Sequence, residues 1–460
     1  MKRISIKLEK EMVKVNLPDN TEILSTDQAK PLSNPAFFIQ KALEDPIGSP
    51  SLDKIIEQKL KKNPEAKVVV VISDNTRPVP YKGESGILWP ILEKLLAHNI
   101  LKERILILAA TGTHRSLTEK ELREMLDPRV FDYKIPIKNH NCRDKNNLAY
   151  LGKTNRGSSV YINQDYMAAD IKILTGLVET HFMAGASGGR KSICPGLIGE
   201  ESIYIFHGAP MLASPKASDL IIDDNPCHQE ALEVAKKAGA DYILNVALNQ
   251  DFKLTGVFAG DLEKAHKQAV NQIKKYVTIP IEKEYDVIIT HAGFVGINHY
   301  QAAKAAVVAI PALKPNGKLI MIANNNDKDL IGSEQYKAVL HLLKIIGAKK
   351  YNHLILSPDW TFVPDQWQAQ MWARLFSKIP PENFIYYSPR LSFNDYKIIP
   401  CVDGNIFLPG SERYKDNFKN AAQVIEKALE AAIYELKSAG QEKIRIAYLA
   451  DGPYGVLLKN

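Results

Sequence analysis

The chain has 460 residues, 45% of them hydrophobic and 24% charged. This is an ordinary globular balance on a length that exceeds what one hydrophobic core usually supports, so two domains are expected. The formal charge of +7 comes from Lys and Arg scattered among Asp and Glu without a basic run, which argues against a nucleic-acid partner and for a local need to hold anions. Four cysteines with no CxxC pair exclude a disulfide framework and a thiolate zinc site, and no apolar run reaches the ~18 residues of a membrane span.

The opening "MKRISIKLEKEMVKV" alternates apolar and charged residues, which predicts a first strand pair rather than a leader peptide and a cytoplasmic protein. Continuous apolar runs at 67–73, 104–110, 171–176 and 242–248 predict buried strands of a mostly parallel sheet covered on both faces. Between them, "ILWPILEKLLAHNI" and "HQEALEVAKKAGA" have helical spacing, the second preceded by the capping candidates of "DDNP". A polar, proline-containing pause at 274–286 places a boundary near residue 280, giving domains 1–280 and 281–460. The second domain restarts with "DVIIT", a helix from about Tyr300 and "GKLIMIA", and ends on the helix "NAAQVIEKALEAAIYEL" and the strand "KIRIAYLA". Strand–helix alternation makes both domains α/β.

In such sheets ligands sit beyond the carboxyl ends of the strands, and the unusual residues fall there. Asp74 and Arg77 lie in a proline-held turn, where the guanidinium suits a carboxylate or phosphate and an Asp–Arg pair bracing the turn is the plain alternative. His114 and His181 each follow a strand end, as a pair of bases on one edge would. "GASGGRKS" resembles a phosphate-binding loop but has Arg190 where a bare backbone is needed. Its glycines, Gly188 and Gly189, suggest a backbone lying against a bulky anionic ligand. Lys191 is then a charge partner or a covalent nucleophile, made reactive by neighbouring Arg190. His207, sixteen residues after Lys191, suits a metal, and Gln301 and Lys304 share a helix face that suits a substrate carboxylate.

Taken in order, "SDNTRPVP", "ATGTHR", "GLVETHFMAGASGGRKSICPG", "DDNPCHQEA" and "YQAAK", with "FAGDLEKAH" and "DQWQAQMWAR", resemble the nickel-dependent lactate racemase family over about residues 70–375. The resemblance implies two α/β domains with an active-site cleft between them. It also implies a nickel-pincer nucleotide, a pyridinium mononucleotide carrying nickel, made by cofactor-biosynthesis proteins and joined to Lys191 through a thioamide. By position His207 would hold the nickel, and His114 and His181 would be the acid/base pair. Arg77, Gln301 and Lys304 would orient a 2-hydroxy acid, while Asp74, Gly188, Gly189 and Arg190 would line the cofactor. The implied activity is that of an isomerase, a racemase or epimerase of 2-hydroxy acids.

Departures from the family pattern concern the substrate. Asn75 replaces a histidine, "ETH" replaces "EPH", Thr113 replaces an aromatic residue, and "GFVGINHYQ" lacks the aspartate of "PLDQN". A 2-hydroxy acid larger or more polar than lactate is therefore expected. The alternatives are a phosphate-handling enzyme using Arg190 and Lys191, a cofactor-free 2-hydroxy-acid binding protein, and a hydrolase or dehydratase with zinc on His114 and His181. The oligomeric state is left open.

Overall fold

The computed structural model describes residues 1–8 and 11–459. The chain forms two compact units, Gln28–Tyr276 on one side and Met1–Asp27 with Val277–Asn460 on the other. Each is α/β with a mostly parallel sheet, as the apolar runs require.

In Gln28–Tyr276 a six-stranded sheet runs in the order Leu254–Gly260, Tyr242–Leu248, Ile171–Leu177, Val68–Ser73, Ile105–Ala110, Ile137–Asn139. Only the first pair is antiparallel. Val68 to Ile72 are all buried, which a strand achieves only when helices cover both faces of its sheet. The helices Pro35–Glu44, Leu52–Lys62 and Leu88–Ala97 contribute Leu43, Ile56, Leu88, Ile91 and Leu95 to the core containing Val68, Val70, Ile72 and Ile107. The strands Val68–Ser73, Ile105–Ala110 and Ile171–Leu177 are adjacent and parallel, so the loops that follow them leave the same sheet edge. Those loops carry Asp74 and Arg77, His114, and His181 to Lys191.

The other unit has a second six-stranded sheet, Val402–Asp403, Phe384–Tyr387, Leu313–Ile322, Tyr285–His291, Ile446–Leu449, Glu22–Leu24, every neighbouring pair parallel. The first 27 residues, expected in a domain 1–280, thus belong with the C-terminal segment. Glu22–Leu24 adds the edge strand beside Ile446–Leu449. The antiparallel pair Lys2–Leu8 and Glu11–Leu17 turns Ile6, Leu8, Val13, Val15 and Leu17 into the core shared with Val424, Ile425 and Leu429 of the helix Asn420–Ser438. Burying a side chain of this size is worth roughly 1.5–3 kcal/mol, so five on one face outweigh continuity with the following sequence. Among the described residues no helix is long and apolar enough to cross a membrane.

Candidate active site

The loop after Val68–Ser73 is organised by Asp74, which is 5% exposed. Its Oδ1 accepts hydrogen bonds from the Thr76 backbone N–H at 3.1 Å and the Thr76 hydroxyl at 2.6 Å. Its Oδ2 lies 2.6 Å from Nδ1 of His114, which arrives on the loop after Ile105–Ala110. Burial opposes ionisation of Asp74, but the bonds from His114 and Thr76 and the charge of Arg77 outweigh it and hold the carboxyl below its ordinary range. An ionised carboxylate can only accept, so Nδ1 of His114 carries the proton and Nε2 its lone pair. The alternative of an Asp74–Arg77 side-chain pair has no counterpart among the described ion pairs. Arg77 instead faces Glu179 at 3.4 Å. Arg115 bonds Glu121 at 2.8 Å, and Asn75 donates to the same carboxylate at 3.0 Å, tying the two loops together.

After Ile171–Leu177 the chain makes a two-residue antiparallel pair, Thr180–His181 with Gly185–Ala186, and then one tight turn at Gly189–Ser192. Nδ1 of His181 accepts from the backbone N–H groups of Met183 and Ala184 at 3.3 and 3.2 Å. Its proton therefore sits on Nε2, 2.9 Å from Nζ of Lys191. That N–H needs an acceptor, and the lysine nitrogen is one only as a neutral amine. The electrostatics agree: burial, then the charges of Arg77 and Arg190, bring the ammonium down to about 7. His114 and His181 therefore present opposite faces of the imidazole chemistry, a bare Nε2 on one and an Nε2–H on the other.

Arg190 does not point outward. It is 1% exposed, and its guanidinium donates to the Ala184 carbonyl at 2.7 Å and lies 2.8 Å from Nε2 of His266. Its Nε has no hydrogen-bond partner among the described residues. The glycines are explained by the protein's own packing. Gly188 has φ +74°, and an added Cβ would stand 2.7 Å from Val178 and 2.9 Å from Oδ1 of Asn245. At Gly189, with φ +53°, it would stand 2.9 Å from the His266 ring. Asn245 also accepts the Gly189 N–H at 2.8 Å, so the backbone donor that a phosphate loop would offer is occupied. The turn is a single 3-10 turn that does not run into an α-helix, which argues further against the phosphate-loop alternative; the next α-helix is Glu200–Phe206.

His207 caps the end of that helix. Its Nδ1–H donates to the Ile203 carbonyl at 3.2 Å, which puts the lone pair on Nε2, the tautomer a metal needs. Burial, with the charge of Lys191 adding, lowers its pKa to about 3, so it is neutral. The Lys191 nitrogen lies 5.5 Å from the ring centre of Phe206, the residue before it. Among the described residues no group of three or more His, Cys, Asp or Glu side chains could hold a metal ion unaided, so a metal at His207 would need ligands that the chain does not provide. In the other unit, Gln301 and Lys304 occupy adjoining turns of His299–Ala309 and are half-buried, while Ala302, Ala303, Ala305 and Ala306 face the core. Asn298 caps this helix by accepting the Gln301 N–H at 2.9 Å.

Sequence reasoning missed Thr76, Glu179, Asn245 and His266 as supports of these groups. Asn245 carried a signal, a lone amide inside the apolar run "YILNVAL". Glu179 and Thr76 carried none beyond proximity.

The profile of the lactate racemase N-terminal domain matches residues 8–219, and that of the lactate racemase C-terminal domain matches residues 281–386. The lactate racemase of Lactiplantibacillus plantarum is 34% identical over 339 residues, 73% of this chain and 76% of that protein. The lactate racemase of Thermoanaerobacterium thermosaccharolyticum is 30% identical over 397 residues, 86% of this chain and 85% of that one. The solved structure of the lactate racemase apoprotein from the latter organism superposes with a TM-score of 0.82 at 26% identity, covering 99% of this chain and 100% of that one. A Thermotoga maritima protein shares the fold with a TM-score of 0.57 at 16% identity, over 90% of this chain and 100% of its own. The chain belongs to the lactate racemase family.

Proposed function

We propose that the chain is an isomerase that inverts the stereocentre of a 2-hydroxy acid, using a nickel-pincer nucleotide tethered to Lys191. The observation that carries the reading is the opposite tautomers of two histidines on one unit. Asp74 leaves His114 as a base, and two backbone N–H groups leave His181 as a donor. Inversion at a carbon bearing a hydroxyl needs that hydroxyl proton taken up on one side and supplied on the other; the bare Nε2 of His114 suits the uptake, and His181 supplies a proton from its Nε2 once its ring is protonated. A hydrogen α to an ionised carboxylate is too weakly acidic for a histidine alone to remove as a proton, which favours its departure as hydride.

The residues present fit the cofactor. Lys191 offers a neutral amine for a covalent bond, and His207 offers a neutral imidazole of the correct tautomer. Arg77 and Arg190 supply the positive charge that suits an anionic nucleotide beside Lys191. When bound, the group supplies nickel and a pyridinium able to accept the α-hydrogen. Arg77, Gln301 and Lys304 carry the donors that suit the substrate carboxylate. Arg190, Gly188 and Gly189 fix the shape of the loop by packing within the protein, and the same loop is proposed to line the cofactor. A substrate other than lactate is proposed from Asn75, whose amide is spent on Glu121, and from Thr113, both on the loops that carry Asp74 and His114.

The test is intact mass of protein co-produced with the cofactor-biosynthesis proteins, followed by a chiral assay on 2-hydroxy acids. An adduct mapping to Lys191 with inversion of at least one acid supports the reading. Nucleotide binding without an adduct would favour the phosphate-handling alternative. Acids bound and left unchanged by loaded protein would favour a binding protein.

A further inference from the structure

We propose that, in the chain without a tethered group, Lys191 condenses with the carbonyl carbon of a 2-oxo acid to form a Schiff base, with Arg77 holding the carboxylate and His181 bonding the carbonyl oxygen. The choice of 2-oxo acids rests on the function proposed above, since they are the oxidised form of its substrates. The chemistry itself needs neither nickel nor racemisation.

Imine formation asks three things of a site: a lysine with its lone pair available near neutral pH, a hydrogen-bond donor for the carbonyl oxygen, and a cation for the carboxylate. The first follows from the hydrogen-bond pattern. With Nδ1 of His181 accepting from Met183 and Ala184, its Nε2–H donates to Nζ of Lys191 at 2.9 Å, which a lysine ammonium does not allow. The charged and titratable groups that face this amine are Arg77, Arg190, His181, His207, Cys194 and Cys227. The two guanidinium cations are the charges that oppose protonation, and no carboxylate is among these groups. The second requirement is met by the same Nε2–H, released when the amine turns its lone pair toward carbon. The third is met by Arg77, whose partner Glu179 stands 3.4 Å away with a side chain 39% exposed. A pair that open to water contributes little, and an incoming carboxylate can replace it.

The step balances without an oxidant or reductant. The Nζ lone pair forms the C–N bond as the C=O π pair moves onto oxygen, which the His181 N–H stabilises. Both protons of the amine leave with that oxygen as water, and C=N remains. The consequence is a competing fate for the tethering lysine: in unloaded protein a cellular 2-oxo acid reversibly occupies it.

The probe is pyruvate with sodium cyanoborohydride, added to full-length chain produced without the cofactor pathway, with labelled lysines mapped by peptide mass. Reduction fixes the imine as a carboxyethyl amine. Expected is labelling of Lys191 roughly 10²-fold faster than the average surface lysine, as its larger neutral fraction requires. Acetone, the ketone that lacks the carboxylate, should label Lys191 about tenfold less at equal concentration in the wild-type chain. Arg77→Met should abolish the preference for pyruvate over acetone, and should lower labelling by both because one of the cations that keep the amine neutral is gone. Labelling spread evenly over the lysines overturns the proposal, as does equal use of the two carbonyl compounds by the wild-type chain. Because the reaction is read on unloaded protein, a chain that racemises when loaded but fails here sinks this proposal alone, and the converse sinks the other.

Discussion

Oδ2 of Asp74 lies 2.6 Å from Nδ1 of His114, and Oδ1 of the same carboxylate is held by Thr76. The pair fixes which nitrogen of a half-exposed imidazole faces outward as a base. In Asp74→Asn, the amide oxygen keeps Thr76 and its NH₂ group meets Nδ1, which reverses the tautomer. A reversed tautomer cannot take a proton at Nε2, and the loss expected in kcat is about 10²–10⁴-fold, the range seen when such a carboxylate is neutralised in other catalytic sites. Racemisation by the loaded variant checks this, with cofactor content measured in parallel. A kcat within threefold of wild type at equal loading would remove Asp74 from the mechanism.

The Lys191 amine gives stability a pH dependence of known sign. Its folded-state pKa of about 7 lies below the ordinary lysine value of 10.5, so between the two the unfolded chain binds the extra proton. Stability therefore rises with pH across that window, and below about 7 the full cost of an ammonium among cations remains. Lys191→Met removes the cost. The variant should be more stable than wild type near pH 6, with the gap closing toward pH 10, as read from urea midpoints of both proteins at each pH. A constant gap would mean that Lys191 titrates normally.

How far the sequence alone carried this picture depends on whether a feature is local. The strands Val68–Ser73 and Ile171–Leu177 announce themselves by uninterrupted apolar, largely β-branched residues, and the loops after them by their histidines, arginine and glycines. The destination of the first 27 residues was not legible. Alternation in "ISIKL" and "MVKVNL" specifies a strand with one buried face, but the face it meets lies on the helix Asn420–Ser438 at the far end of the chain. The partners of Arg190 were not legible for a related reason. An arginine beside a candidate nucleophile reads as a ligand contact because buried guanidinium groups are rare, and its partners here are the Ala184 carbonyl and Nε2 of a distant histidine. Main-chain acceptors leave no mark in a sequence.

Buried Arg190 sets the electrostatics of its neighbour. Replacing it with Met removes one of the two cations that depress Lys191, and the lysine pKa should rise by about one unit. The pH dependence of Lys191 acylation by a small reagent such as acetic anhydride, followed by peptide mass, measures the shift. Because the Ala184 carbonyl also loses its donor, the folded state should be confirmed by its unfolding midpoint. An unmoved acylation profile in a folded variant would assign the depression to burial and Arg77 without Arg190.

Gly189 tests whether the loop is shaped by the chain or by its ligand. At φ +53° a Cβ is strained, and it would also stand 2.9 Å from the ring of His266, which is 3% exposed and cannot withdraw easily. Gly189→Ala should therefore destabilise the unloaded protein, by about 2–4 kcal/mol from backbone strain and overpacking together. In a unit of this size that lowers Tm by roughly 5–15 °C. Combining it with His266→Ala, which clears the space beside the Cβ, should recover part of the loss relative to the sum of the two single changes. If instead Gly189→Ala leaves the Tm of unloaded protein unchanged and only weakens retention of the tethered group, the glycine is kept for the ligand, and the packing of His266 against the turn is not what demands it.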